Sequence, residues 1–221
     1  MLLLAVDTSG RNGSIALARC VAPDLCKVLE VAALEGGTFS AQLVPQIASL
    51  LFAHHVTKDD LDAFVVVSGP GSFTGLRVGL AVIKALGEIL AKPIVPVSFL
   101  DVVAMAGQTQ TRCLAALDAG RHQVYVGEYA GRRIVREQLL TMEEFLELPK
   151  GFPVITPDAN VASQTRDAGF AVQESARPRA DAVAQLGWQK IQGGQVVSPE
   201  ELDANYLRRT DAELFSPPGG G

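Results

Sequence analysis

SGPGSFTGLRVGLAVIKALGEIL, residues 68–90, decides how the rest of the chain is read. It follows the apolar run 63–67 at once, opens on a glycine and proline turn, and then becomes a long, almost wholly apolar segment. That is the order strand, turn, helix. Pro70 fixes one backbone angle and Gly69 and Gly71 allow positive φ, so Ser72 is placed to cap a helix beginning near Phe73. A turn that presents several N–H groups at a helix N-terminus is also a place where an anion could sit. The stretch lacks the Gly-Lys-Ser/Thr ending of a P-loop and the spacing of a dinucleotide fingerprint, so by itself it reads as a structural turn.

Within the helix, Arg77, Lys84 and Glu88 fall near one narrow stripe. Leu76, Val78, Leu80, Val82, Ile83, Leu86, Ile89 and Leu90 occupy most of the remaining circumference. A helix apolar nearly all round must be covered on more than one side. Gly75, Gly79 and Gly87 each cost about 1 kcal/mol relative to alanine, which implies close packing, with another helix as the expected neighbour. A second apolar helix is predicted over 38–55, where Leu43, Val44, Ile47, Leu50 and Leu51 recur at helical spacing. Thr38 or Ser40 would cap it, and Pro45 requires a late start or a kink. Part of this apolar surface must cover a sheet; the excess is expected to form a protein interface. Phe39, Leu43, Ile47, Leu50, Leu76, Val78, Leu80 and Ile83 are the candidates for it.

Working outward, the run 2–6 ends in Asp7-Thr8-Ser9-Gly10, and Asn12-Gly13 signals a hairpin into 14–19, with a third strand at 28–34. Thr57 with Asp60 resembles a capping box before the strand 63–67, and 93–97 is a fifth strand. Three antiparallel strands followed by helix, strand, helix, strand make a mixed sheet covered on both sides. From Ser98 the pattern partly restarts. Residues 113–118 form a strand ending in Asp118, and 123–129 return, so Asp7 and Asp118 hold equivalent positions in two copies of one hairpin. Thr141 with Glu144 caps a helix, 153–156 is a short strand, and 180–192 is helical. The expected division is an N-terminal lobe over 1–98, a C-terminal lobe over 99–212, and a disordered proline and glycine tail over 213–221.

At 221 residues and 48% hydrophobic, the chain buries a substantial core. Its net charge of −5 provides no global basic field for a polyanion, so unaided nucleic-acid binding is disfavoured. Arg77, Lys84 and Glu88 interrupt the best apolar run, and MLLLAV lacks the basic leader of a signal peptide, so no membrane segment is expected. Cys20, Cys26 and Cys113 are odd in number without CxxC spacing, which fits reduced thiols in a cytoplasmic protein.

Asp7, Thr8 and Ser9, facing Asp118, could cradle a phosphate or hydrated magnesium ion. Equally, they could serve a tight hairpin, as Asx and Ser turns do. His54, His55 and His122 read as surface or helix-end residues, and Arg132-Arg133 and Arg208-Arg209 as solvated.

Strand-tip aspartates on duplicated hairpins, with a glycine turn leading into a helix, resemble the actin-like ATPase, Hsp70 and sugar kinase superfamily, a duplicated ribonuclease H-like fold. The segment 68–79, SGPGSFTGLRVG, is more specific and resembles the signature of the TsaB (YeaZ) family. LAVDTSG at 4–10, AALDA at 115–119, Val124-Tyr125 and Tyr206-Leu207-Arg208 agree in order. The pattern is departed from at Phe39, Gly120 and Gln123.

The resemblance implies a two-lobed α/β protein with mixed sheets flanked by helices. It implies a non-catalytic subunit that binds and activates TsaD, the enzyme placing threonylcarbamoyl on adenosine beside the tRNA anticodon, with TsaE as third member. TsaB relatives pair through the first and central helices with TsaD or with themselves. No cofactor is implied for this chain; ATP with magnesium, and tRNA, would be met only in the complex. TsaD binds metal through two histidines four apart; here His54 and His55 are adjacent and point about 100° apart. The competing expectation is an active nucleotide-dependent phosphotransferase using Asp7 and Asp118. A metallopeptidase lacks an HExxH motif.

Overall fold

The computed structural model describes residues 1–107 and 111–207. Strands β1 (Leu2–Asp7), β2 (Gly13–Ala22) and β3 (Leu25–Leu34) form an antiparallel meander, and β4 (Ala63–Gly69) and β5 (Ile94–Ser98) add in parallel on the other side of β1. The sheet order is β3-β2-β1-β4-β5. Helix α1 (Phe39–Ala53) joins β3 to β4, and α2 (Phe73–Leu90) joins β4 to β5. After α3 (Phe99–Ala106), the strands β6 (Arg112–Gly120), β7 (Gln123–Ala130) and β8 (Arg133–Thr141) repeat the meander. Helix α4 (Met142–Leu146), β9 (Val154–Thr156), α5 (Ala159–Asp167), β10 (Val172–Glu174) and α6 (Ala180–Gln192) complete the described chain. The second sheet runs β10-β9-β6-β7-β8, the order of the first with each strand replaced by its counterpart. The repeat expected in part from Ser98 is therefore a full duplication of the sheet.

Strands β1 and β4 are buried along their whole length, which is why they read as unbroken apolar runs rather than alternating ones. Their alternating side chains feed two cores. Leu2, Leu4, Val6, Phe64 and Val66 meet Leu43, Ile47 and Leu50 of α1 and Ile83 of α2. Leu3, Ala5, Val65 and Val67 face α3 and α6, and this second core continues into Ala115, Leu117 and Tyr125 of the other sheet. A third core, with Val126, Phe145 and Phe170, lies beneath α4 and α5. Helices and sheets thus alternate in five layers, with α3 and α6 shared in the middle. Each large aliphatic side chain so enclosed contributes roughly 1.5–3 kcal/mol.

Several expectations change in detail. The lobe drawn over 99–212 does not follow the packing, because α6 returns to the first sheet. Trp188 Nε1 donates to the Ala22 carbonyl at 3.0 Å, and Ala180 N–H to Ser14 Oγ at 2.9 Å. Helix α1 begins at Phe39 and runs through Pro45, whose ring lies on the exposed side, where water serves the carbonyl left without a donor. Cys20 and Cys26 are opposite partners in the β2–β3 register and are joined as a disulfide, where the sequence reading expects reduced thiols. A spacing of six looks uninformative in sequence and becomes direct opposition once a hairpin turns between the two. The tail over 213–221 and Arg208-Arg209 lie outside the described residues.

Candidate functional site

The strand-tip residues are tied up by their own backbone. Asp7 is 3% exposed, and its Oδ1 accepts the Ser9 N–H at 2.8 Å and the Ser9 hydroxyl at 2.6 Å. Burial holds this carboxyl above its ordinary range, against the lowering effects of Ser9 and Arg177. Asp118 accepts the Gly120 N–H at 2.7 Å. The two aspartates therefore perform the same Asx turn in the two lobes, each binding the N–H two residues on. Thr8 Oγ1 donates to the Gly75 carbonyl at 2.7 Å.

This contact explains the glycines of α2. A Cβ at Gly75 would stand 2.1 Å from the Thr8 carbonyl oxygen, and one at Gly79 would stand 2.4 Å from Thr8 Oγ1. The element approaching them is the β1 tip, not the second helix expected from sequence, and Gly87 is approached by Ile94 of β5. Ser72 caps α2 as expected, accepting the Gly75 N–H at 3.4 Å.

A magnesium ion, as the fold class implies, needs several oxygen ligands. Here Asp7 is enclosed with one oxygen engaged twice, the Thr8 hydroxyl is committed, and no group of three or more acidic, histidine or cysteine side chains converges among the described residues. The donor set does not fit the ion, and no chemistry is derived through it.

Between the strand tips of the two lobes lies a cavity of about 580 Å³. Ser9, Arg11, Ser72 and Leu76 border it from the first lobe, and Leu117, Asp118, Arg121 and Tyr125 from the second. Arg177 also lines it; its guanidinium lies 4.7 Å from the Phe99 ring centroid and 3.9 Å from Asp158. At the rim, the Phe73 and Tyr206 rings are 5.1 Å apart, and Arg77 stacks on Phe73 at 3.8 Å. Asn205 crosses the joint. Its N–H donates to the Ser68 carbonyl at 2.8 Å and its side-chain amide to Glu137 at 2.6 Å. Burial holds the Glu137 carboxyl above its ordinary range despite these donors. The arginines of the cleft escaped the sequence reading, whose only cue was their place beside the two hairpin turns.

The second candidate site is the outer face of α1 and α2. Of the eight residues proposed for it, Phe39, Leu43, Ile47, Leu50, Leu76 and Ile83 are buried, and Val78 and Leu80 are half-buried. The buried six cover the sheet. What α1 leaves exposed is Val44, Ala48 and Phe52, and α2 leaves Ala81, Ala85 and Ile89. Phe52 is 81% exposed and Ile89 75%. Helical periodicity shows that a helix is apolar on two sides but not which side faces inward.

Duplicated meander sheets, a shared central helix layer and a cleft between the strand tips define a two-lobed, actin-like α/β protein. A ROK family protein from Streptococcus pneumoniae shares this fold, at a TM-score of 0.53 and 10% identity over 88% of this chain and 100% of the other. The family model for TsaD, tRNA N6-adenosine threonylcarbamoyltransferase, matches residues 36–191. TsaB of Bacillus subtilis, a tRNA threonylcarbamoyladenosine biosynthesis protein, is 30% identical over 96% of this chain and 96% of its own length. YeaZ from Pseudomonas aeruginosa superposes with a TM-score of 0.76 at 25% identity, covering 93% of this chain and 100% of that one. Within the wider grouping that the TsaD model describes, the chain belongs to the TsaB (YeaZ) family.

Proposed function

We propose that this chain serves tRNA threonylcarbamoyladenosine biosynthesis as the non-catalytic partner of a TsaD-type transferase, docking through the exposed faces of α1 and α2. The observation that carries the reading is the apolar stripe of Val44, Ala48, Phe52, Ala81, Ala85 and Ile89, left in the open after the sheet is fully covered. Contiguous apolar surface of this kind typically marks a protein interface. Small residues at its centre let a partner helix approach closely. The stated role of the B. subtilis relative supports the pathway.

In this reading threonylcarbamoyl transfer and its metal belong to TsaD, and ATP turnover to TsaE. Transfer RNA reaches the chain only within the complex, consistent with a net charge of −5. The isolated protein would pair with itself through the same face, and its compartment would be the cytoplasm. Size-exclusion chromatography with purified TsaD tests the reading, using Phe52→Glu and Ala85→Glu as surface variants. The phosphotransferase alternative gains no support from Asp7 and Asp118, each of which is committed to its own turn.

A further inference from the structure

We propose that the interlobe cleft takes a small organic phosphate monoester without a metal ion, bridged between Arg11 of one lobe and Arg121 of the other. The inference does not rest on the partner reading, since the cleft and the outer helix face are separate surfaces.

Charge is the first argument. The chain carries −5 overall, yet the cavity is lined by Arg11, Arg121 and Arg177 against one carboxylate, Asp118, which has an oxygen engaged by Gly120. An acidic protein therefore concentrates positive charge at one concave place, where field lines focus and anions gather.

Symmetry is the second. Arg11 follows the Asp7 turn and Arg121 follows the Asp118 turn, so the duplicated hairpins raise an arginine from each side of the cleft. Gly120, Arg121 and His122 all have positive φ, at 70°, 55° and 58°, which fixes a tight turn beside the cavity. Among the described residues, neither Arg11 nor Arg121 forms an ion pair or side-chain hydrogen bond, whereas Arg177 already has Asp158 and Phe99. Guanidinium groups of this kind match phosphate oxygens in bidentate fashion. The N-terminal residues of α2, Ser72 and Phe73, border the same space and bring the positive end of the helix dipole.

The apolar lining sets the rest of the ligand. Leu76 and Leu117 form walls, and the Phe73 and Tyr206 rings at the rim are 37% and 40% exposed, a platform for a flat ring. A volume of about 580 Å³ suits such a molecule. Magnesium has no place in it, because the Asp7 carboxyl is enclosed and held by Ser9.

Calorimetry on the full chain tests this with adenosine monophosphate in EDTA, inorganic phosphate in EDTA, and ATP with magnesium. Adenosine monophosphate is expected to bind in EDTA. Binding should weaken about tenfold or more in Arg11→Gln/Arg121→Gln, each lost charge-assisted contact being worth about one factor of ten. Asp7→Asn should leave it unchanged, and inorganic phosphate, lacking a ring, should bind about tenfold more weakly. Arg121→Gly suits the positive φ and provides a second variant whose fold is undisturbed. The proposal is overturned by no heat with the monophosphate, by undiminished binding in both arginine variants, by inorganic phosphate binding equally well, or by binding that requires magnesium and disappears in Asp7→Asn.

Discussion

The Thr8 hydroxyl donates to the Gly75 carbonyl at 2.7 Å, pinning the tip of the first strand onto the first turn of α2. Gly75→Ala would drive a methyl group to 2.1 Å from the Thr8 carbonyl oxygen, and neither backbone has room to yield. We expect a loss of about 2–3 kcal/mol, near the upper end for overpacking, read as a lower midpoint in urea unfolding. An unchanged midpoint would contradict the close approach.

Asp7 supplies a pH-dependent prediction. Its carboxyl is raised above the ordinary range chiefly by burial, so the folded chain binds its proton more tightly than the unfolded chain does. The contribution is fully present below the ordinary aspartate pKa and is lost as pH rises through the raised value. Stability of Asp7→Asn relative to the native chain should therefore increase between about pH 4 and pH 8. Urea titrations of both proteins across that range check the sign, and a gap that narrows with pH would refute it.

Asn205 stitches the lobes together through Ser68 and Glu137. Asn205→Ala keeps the backbone bond to Ser68 but leaves the half-buried Glu137 carboxylate short of a donor, at a cost of about 1–3 kcal/mol. Asn205→Ala/Glu137→Gln should recover part of it. A double-mutant cycle by thermal melting measures the coupling, and additivity would deny it.

Burial separates two classes of charge substitution on α2. Ile83→Glu places a carboxylate in a fully enclosed site and should unfold the chain or lower its melting temperature drastically. Ala85→Glu, two residues on and exposed, should change stability by less than about 0.5 kcal/mol. Circular dichroism melts distinguish them, and similar losses for both would mean that α2 is not oriented as described.

Much of this molecule was legible in its residues. Asp7 and Asp118 were recognisable as equivalent strand tips, and the segment 68–90 as strand, capped turn and helix, because backbone chemistry there is local. The reciprocal capping box of Thr141 and Glu144 likewise formed as read. What failed depended on contacts between distant parts. Nothing local in 180–192 tells that α6 recrosses to the first sheet, since its stripe of small residues fits either one. Gly75 and Gly79 announced a close neighbour without saying that it was Thr8. The interface residues were chosen for size, and size is what drew Leu43, Ile47 and Ile83 inward, leaving Phe52 and Ile89 outside. Arg11 and Arg121 meet only across the cleft, so no spacing in the chain could pair them.

The central claim is that the outer face of α1 and α2 receives a TsaD-type partner. The most direct measurement is size-exclusion chromatography of this chain mixed with purified TsaD, beside a Phe52→Glu/Ala85→Glu variant shown by melting to be folded. Co-elution of the native chain as a heterodimer, abolished in the variant, is the predicted result. Separate elution of the native chain, or co-elution that the folded variant retains in full, would contradict it.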